Sequence, residues 1–402
     1  MKSPVNEFLD SIHAELAKKS DKTKLVIVTG NDSADLDSII SALTYAYISQ
    51  KSNKDPLTIY VPLVKVPKED LSLRPETSFV FTKAGIDAEK LVYIDQIDLG
   101  RVASEYDARV FLVDHNRLTA PFGEDWNDRV IGILDHHIDE GQYKWANPRR
   151  IEIVGSCTSL VVLHFEDLFK QEEYAEDLSK LVLAPILVDT IGMEPSFGKL
   201  TPTDVAAFNV LLNSSPVNTS DYTTNSYYYD IEKYKSDVKG MSTRDLLRKD
   251  YKEWVVNGFR IGTSSLPWYL QGWLLHHGPE QAIADTWKFA EERNLDLEVI
   301  LTSYDHSRDV EGGPYKREIG LFVKNNKMDC IKKDLENGKT PPGYDKSIVL
   351  ENLNIYYGKE DSRIGLYDQH DVKLSRKQIW PLIQSLIEME WSNQTSNLPG
   401  NL

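Results

Sequence analysis

The chain has 402 residues, 41% hydrophobic and 27% charged, which is enough apolar material for two buried cores. Its 62 acidic against 46 basic side chains leave a formal charge of -16, which excludes general binding to nucleic acid or to anionic membrane, since both need a basic field. Cys157 and Cys330 are too few for a disulfide framework, and no apolar run approaches the roughly 20 residues of a spanning helix, so a soluble cytoplasmic protein without a leader or membrane contact is expected.

The first half alternates short β-branched runs with amphipathic segments, the pattern of βαβ units around a parallel sheet. Strands are predicted over residues 24–29, 57–61, 91–94, 109–114 and 130–135. A helix is predicted over 38–49, where Ile39, Ile40, Leu43 and Tyr47 mark one face, and two more over 158–169 and 175–187. These make a first domain over 1–212. Residues 213–237, rich in Ser, Thr and Asn with Pro216, read as a linker. Strands predicted over 259–264, 297–302, 319–324 and 364–367, with helices over 279–293 and 376–388, make a second α/β domain over 238–402.

Three of the apolar runs in the first half end in acidic or imidazole clusters. Leu25-Val26-Ile27-Val28 leads to Asn31-Asp32-Ser33-Ala34-Asp35-Leu36-Asp37, Val110-Phe111-Leu112-Val113 to Asp114-His115-Asn116, and Ile131-Gly132-Ile133-Leu134 to Asp135-His136-His137. Ligands bind outside the carboxyl ends of strands in an open parallel sheet, so these clusters should converge on one site. Asp35 and Asp37 taken alone fit better as acidic charges at a helix N-terminus. Asp189 follows the apolar stretch 181–188, where a carboxylate is costly unless it is paired, ligated or capping a helix. Asp35, Asp37, Asp114, Asp189 and His136 together make an oxygen-rich set with one imidazole, suited to Mg²⁺ or Mn²⁺. Two such ions about 4 Å apart would clamp an attacking hydroxide and a phosphoryl oxygen. Near the C-terminus, Ser375-Arg376-Lys377-Gln378 reads as a capping box, but its two cations oppose the helix dipole and point to an anion site. Arg248-Lys249-Asp250-Tyr251-Lys252 is a second basic group.

In this order the motifs resemble the DHH phosphoesterase superfamily over nearly the whole chain. Asp250-Tyr251-Lys252 and Ser375-Arg376-Lys377-Gln378 are similar to its DHHA2 type of second domain, shared by family II inorganic pyrophosphatases, prune proteins and fungal cytosolic exopolyphosphatases. The nuclease branch ends instead in a glycine-rich GGGH motif, which Glu311-Gly312-Gly313-Pro314 does not match. Asn31 stands where family II pyrophosphatases carry a metal-binding histidine. That departure, the overall length, Arg74, Gly155-Ser156-Cys157-Thr158-Ser159 and His277 look most like the fungal exopolyphosphatases.

The resemblance implies a parallel-sheet DHH domain, a smaller mixed-sheet DHHA2 domain and an active site in the cleft between them. It implies Asp35, Asp37, Asp114, His136 and Asp189 as metal ligands, leaves open whether Asn31 is a further one, and implies His137 facing the substrate phosphate. Lys252, Arg376 and Lys377 are implied as phosphate-binding cations, with Arg74 and His277 also at the substrate. The activity expected is removal of the terminal phosphate of inorganic polyphosphate by a monomer with two divalent cations, Mg²⁺ before Mn²⁺ or Co²⁺. Nucleoside tetraphosphates are expected as minor substrates. The alternatives are a prune-type enzyme of short polyphosphates or cyclic nucleotides, a pyrophosphatase, and a catalytically silent scaffold.

Overall fold

A computed structural model describes residues 3–18, 23–214, 224–308, 311–344, 347–355 and 360–395. The chain divides into two compact units, Met1–Lys235 and Ser236–Leu402.

The first unit is built on strands β1 (Lys24–Thr29), β2 (Thr58–Val64), β3 (Val92–Tyr93), β4 (Asp107–Val113), β5 (Val130–Asp135) and β6 (Arg149–Ile151). They form one sheet in the order β3-β2-β1-β4-β5-β6, parallel at every pairing. Leu25, Val26, Ile27 and Val28 are all fully buried, as expected of a central parallel strand covered on both faces. Because β1 lies beside β4 and β4 beside β5, the three motif-bearing strand ends are neighbours along one edge. Only three residues long and beginning with Arg149-Arg150, β6 has no apolar run to announce it.

The helices of this unit are α1 (Pro4–Leu16), α2 (Leu36–Ser52), α3 (Pro75–Lys83), α4 (Leu99–Glu105), α5 (Cys157–His164), α6 (Glu166–Phe169), α7 (Glu172–Asp189), α8 (Pro202–Ser214) and α9 (Thr224–Ser236). The stretch read as a linker is therefore largely helical where it is described; residues 215–223 lie outside the described residues. Its aromatic residues explain this. Tyr227 and Ile231, four apart on one helical face, are buried in the first core, and Tyr234 stacks on Phe79 at 4.3 Å.

The second unit holds β7 (Tyr251–Val256), β8 (Phe259–Leu266), β9 (Leu297–Thr302), β10 (Tyr304–Asp305), β11 (Tyr315–Val323), β12 (Leu350–Asn352) and β13 (Ile364–Gln369). Its sheet runs β12-β13-β11-β9-β8-β7, with β8 and β9 parallel, the other pairs antiparallel, and β10 joined to β11. The β7–β8 hairpin turns on Asn257-Gly258, at φ 51° and 83°, the paired left-handed residues that a two-residue turn requires. Apolar clusters cover the sheet. On one, Trp254 of β7 stacks against Trp380 at 4.0 Å. The helices are α10 (Thr243–Lys249), α11 (Leu270–His277), α12 (Pro279–Glu292), α13 (Asp329–Glu336) and α14 (Arg376–Thr395).

Candidate metal centre

The site is assembled at the carboxyl edge of the first sheet. After β1 the chain turns tightly into α2, and Gly30 is required there because a Cβ would lie 2.5 Å from the Cβ of Ser38. Ser38 is thereby placed beneath the site, its Oγ accepting the Asn31 N–H at 3.1 Å and donating to Asp114 Oδ2 at 2.5 Å. Asp114 directly follows β4 with φ 60°, a left-handed conformation unfavourable for a residue with a Cβ, and is held by neighbours on every side. Its N–H donates to Leu134 O at 3.0 Å, and Asn31 Nδ2 donates to its Oδ2 at 2.7 Å. The other oxygen, Oδ1, lies 3.0 Å from His136 Nε2 and 3.7 Å from His137 Nδ1.

At the end of β5, Asp135 orients the two histidines next to it in the chain. Its Oδ1 accepts the backbone N–H of His136 at 2.8 Å and the Nδ1 of His137 at 2.8 Å, while Oδ2 accepts from Asn116 Nδ2 at 2.5 Å. His136 Nδ1 lies 3.1 Å from Val154 O, which fixes the proton on that nitrogen and leaves the Nε2 lone pair facing Asp114 and, at 3.8 Å, Asp37 Oδ2. Asp37 itself is seated on the N-terminus of α5. Its oxygens accept the N–H groups of Cys157 at 2.7 Å and Thr158 at 2.8 Å, and the hydroxyls of Ser156 at 2.8 Å and Thr158 at 2.6 Å. Exposed helix N–H groups and a positive dipole end favour a carboxylate there. Asp35 caps α2 by accepting Ser38 N–H at 3.0 Å, so the capping role is real. It also faces Asp189 electrostatically.

Asp189 closes α7 and is not an N-cap. A carboxylate at a helix C-terminus opposes the dipole. Burial pushes its carboxyl well above the usual range, and the charges of Asp37 and Asp35 push it further. Its Oδ2 is buried without a hydrogen-bond partner among the described residues. Asp114 behaves oppositely: burial alone would raise it, but the His136 contact, then His137 and Ser38, hold it well below the carboxylate range. An orphaned carboxylate oxygen next to acidic neighbours fits a cation, and Asp114, His136 and His137 each offer one ligand atom within 4.8 Å of one another. Asp37 Oδ2 lies 3.8 Å from His136 Nε2, and the charges of Asp37, Asp35 and His136 all act on Asp189.

The structure gives three of the expected residues other contacts. Asn31 sits at the site, but its Oδ1 accepts the Ser33 N–H at 2.9 Å and its NH₂ faces Asp114, so it braces that carboxylate instead of presenting a ligand oxygen. Arg74 is only 2% exposed and donates to the carbonyls of Ala34 at 2.6 Å, Asp70 at 2.9 Å and Ser33, so it holds backbone and is not displayed to a substrate. His277 ends α11 packed against Trp268 and His276, with Nε2 buried and unpartnered among the described residues and its imidazole pKa lowered by burial.

Within the second unit, Arg376 opens α14 and donates to Asp250 O at 2.9 Å and Asp250 Oδ1 at 2.6 Å, tying that helix to the start of β7, where Lys252 lies half-buried. Two of its five N–H groups are used in this way. Lys377 is exposed. Gln378 accepts the Ser375 N–H at 2.9 Å, one half of the expected capping box; Ser375 Oγ donates to Gln378 instead of accepting from backbone. Sequence reasoning misses Asp135, Asn116, Ser38 and the α5 N-terminus as orienting groups. The available signal is adjacency, since Asn116 lies two residues after Asp114 and Asp135 immediately precedes His136.

Comparison with known proteins places the chain in a family. Residues 25–187 match the N-terminal domain of the DHH family, and residues 229–386 match the DHHA2 domain. A Schizosaccharomyces pombe protein provisionally named an exopolyphosphatase is 31% identical over 90% of both chains. The human exopolyphosphatase PRUNE1 is 26% identical over 95% of this chain and 79% of its own. A Methanococcus jannaschii structure, provisionally a family II inorganic pyrophosphatase, shares the fold with a TM-score of 0.59 at 19% identity, over 91% of this chain and 100% of that one. The chain belongs to the DHH family, with a DHHA2 domain as its second unit.

Proposed function

We propose that the protein is a divalent-metal-dependent exopolyphosphatase that releases orthophosphate from the end of inorganic polyphosphate. The observation that carries this reading is the cluster of Asp114, His136 and Asp37 at one sheet edge, with the orphaned Asp189 carboxyl within their electrostatic reach, in a chain whose relatives carry the exopolyphosphatase name. Asp35, Asp37, Asp114, His136 and Asp189 would hold the cations. Bound there, divalent ions supply Lewis acidity towards water and phosphoryl oxygens. A set dominated by carboxylates, with Asn31 turned away, favours Mg²⁺; the Methanocaldococcus jannaschii relative named a manganese-dependent inorganic pyrophosphatase, 26% identical over 58% of this chain, makes Mn²⁺ the next choice.

Hydrolysis forms a bond from water oxygen to the terminal phosphorus and breaks its anhydride P–O bond, so that orthophosphate leaves a chain one unit shorter. His137, with Nδ1–H donated to Asp135, would as an imidazolium donate Nε2–H to a phosphate oxygen. Lys252, Lys377 and the remaining N–H groups of Arg376 are the cations proposed to bind phosphate in the second unit. A chain of net charge -16 needs such local cations to accept a polyanion. Nucleoside tetraphosphates, which also end in an anhydride, would be minor substrates of a monomeric enzyme. Both cysteines are free thiols, which supports a reducing, cytoplasmic location.

The test is orthophosphate release from long polyphosphate, pyrophosphate and cyclic AMP, with Mg²⁺, with Mn²⁺ and with chelator. Metal-dependent release fastest from polyphosphate is expected. In Asp114→Asn it should fall by a factor of about a thousand or more with the fold retained. Preference for pyrophosphate or cyclic AMP would replace the substrate assignment, and undiminished turnover in Asp114→Asn would remove the metal-centre assignment.

A further inference from the structure

The turn that delivers Asp35 and Asp37 is gripped from two sides by buried cations, and we propose that Arg74 and Lys65 are positioning residues that clamp it in the geometry needed for metal binding. The inference rests on the proposed metal centre. Residues 31–35 make a turn between β1 and α2 in which Ala34 has φ 43°, a left-handed conformation that a side chain with a Cβ adopts only when its surroundings impose it. What imposes it is visible. The Arg74 guanidinium, 2% exposed at the start of α3, donates Nε to Ala34 O at 2.6 Å and Nη2 to Ser33 O. Two consecutive carbonyls are thus read by one planar fork, whose third arm, Nη1, is anchored on Asp70 O at 2.9 Å.

From the other side, Lys65 just beyond β2 is 8% exposed and forms an ion pair with Asp32 of the same turn. Thr119 Oγ1 donates to Asp32 Oδ1 at 2.7 Å and accepts from Lys65, closing a three-residue anchor. A cation removed from water is costly unless its donors are satisfied, so two of them on one turn are a structural investment in its shape. Metal ligation demands that shape, because ligand oxygens must be held to about 0.5 Å. Neither cation has to touch phosphate to act in this way.

A lysine cannot reproduce the fork that spans two carbonyls, so Arg74→Lys is a disruptive change despite keeping the charge. Mn²⁺ alone is titrated into chelator-stripped wild type, Arg74→Lys, Arg74→Gln, Lys65→Met and Asp114→Asn, with calorimetry as readout; polyphosphate kinetics are then measured at increasing Mn²⁺. The Arg74 and Lys65 variants are expected to bind Mn²⁺ about 10–100-fold more weakly, the range seen when groups that orient metal ligands are removed. At saturating Mn²⁺ the KM for polyphosphate should return to the wild-type value. Unchanged Mn²⁺ affinity with a raised KM would overturn the proposal and make Arg74 a substrate contact. If the Arg74 variants do not fold, wild-type Mn²⁺ affinity in Lys65→Met overturns it equally. Wild-type Mn²⁺ binding by Asp114→Asn would instead defeat the metal-centre reading itself, which keeps the two failures apart.

Discussion

Asp189→Asn should make the metal-free protein more stable and the metal-loaded protein useless. In the absence of a cation, Asp189 sits at the C-terminus of α7 with a buried, unpartnered Oδ2 and with Asp37 and Asp35 as acidic neighbours. Its folded pKa is raised, so whatever it contributes is fully present below the unfolded value near 3.8 and is lost as pH rises through the folded value. At pH 8 the wild type must keep an unpaired carboxylate or take up a proton from dilute solution, and either costs about 1–3 kcal/mol. An asparagine of the same shape removes the charge, and with it the repulsion from Asp37 and Asp35 and the opposition to the helix dipole. In EDTA at pH 8 the variant should therefore be about 1–3 kcal/mol more stable in urea denaturation, and the gap should close as pH falls towards 4. Adding Mn²⁺ reverses the order: a site filled at a hundred times its Kd gains about 2.7 kcal/mol, which the variant cannot collect in full. A variant no more stable than wild type in EDTA at pH 8, or one gaining as much from Mn²⁺, would refute Asp189 as a ligand waiting for a cation.

In the second unit, burial, reinforced by Glu253 and opposed by Ser264 and Arg293, pushes the fully buried Glu298 carboxyl up to about 8. Its stabilising contribution is present below pH 4.5 and fades as pH rises through 8, on the order of 4–5 kcal/mol in all; Glu298→Gln should flatten that slope in denaturation at pH 5, 7 and 9, and an unaltered slope would place the titration elsewhere. Lys377→Ala, at an exposed position, should move stability by less than about 0.5 kcal/mol while raising the KM for polyphosphate several-fold in steady-state assays. Ser375→Ala should cost at most about 1 kcal/mol with normal kinetics, since Ser375 makes half a capping box. Normal kinetics in both would remove the α14 N-terminus from substrate binding.

The N-terminal sheet is legible because a central parallel strand must be apolar on both faces. Leu25-Val26-Ile27-Val28 fits that pattern, and the boundaries predicted for β1 and β5 match the structure. The clustering of Asp37, Asp114 and His136 comes from topology of the same kind, since adjacent parallel strands deliver their ends to one edge. Composition misleads in residues 213–237, where Ser, Thr and Asn obscure the spacing of Tyr227 and Ile231 that seats α9. Strand β7 goes unpredicted although Asn257-Gly258 is a hairpin signal, because Lys252 and Glu253 interrupt its apolar pattern.

The direction in which each polar side chain points is decided only by the folded chain. Asn31 could ligate or donate, and the nearby Ser33 N–H and Asp114 carboxylate select donation. Arg74 is a surface cation by type, and becomes an internal brace because the turn of Ser33 and Ala34 brings two carbonyls to it from 40 residues upstream. Asp189 reads as a possible cap, and becomes an orphaned acid because α7 ends there, facing Asp35 and Asp37. Local sequence dictates which faces are apolar and where strands end; the partners that orient a polar group come from distant segments, and only their three-dimensional convergence settles its role.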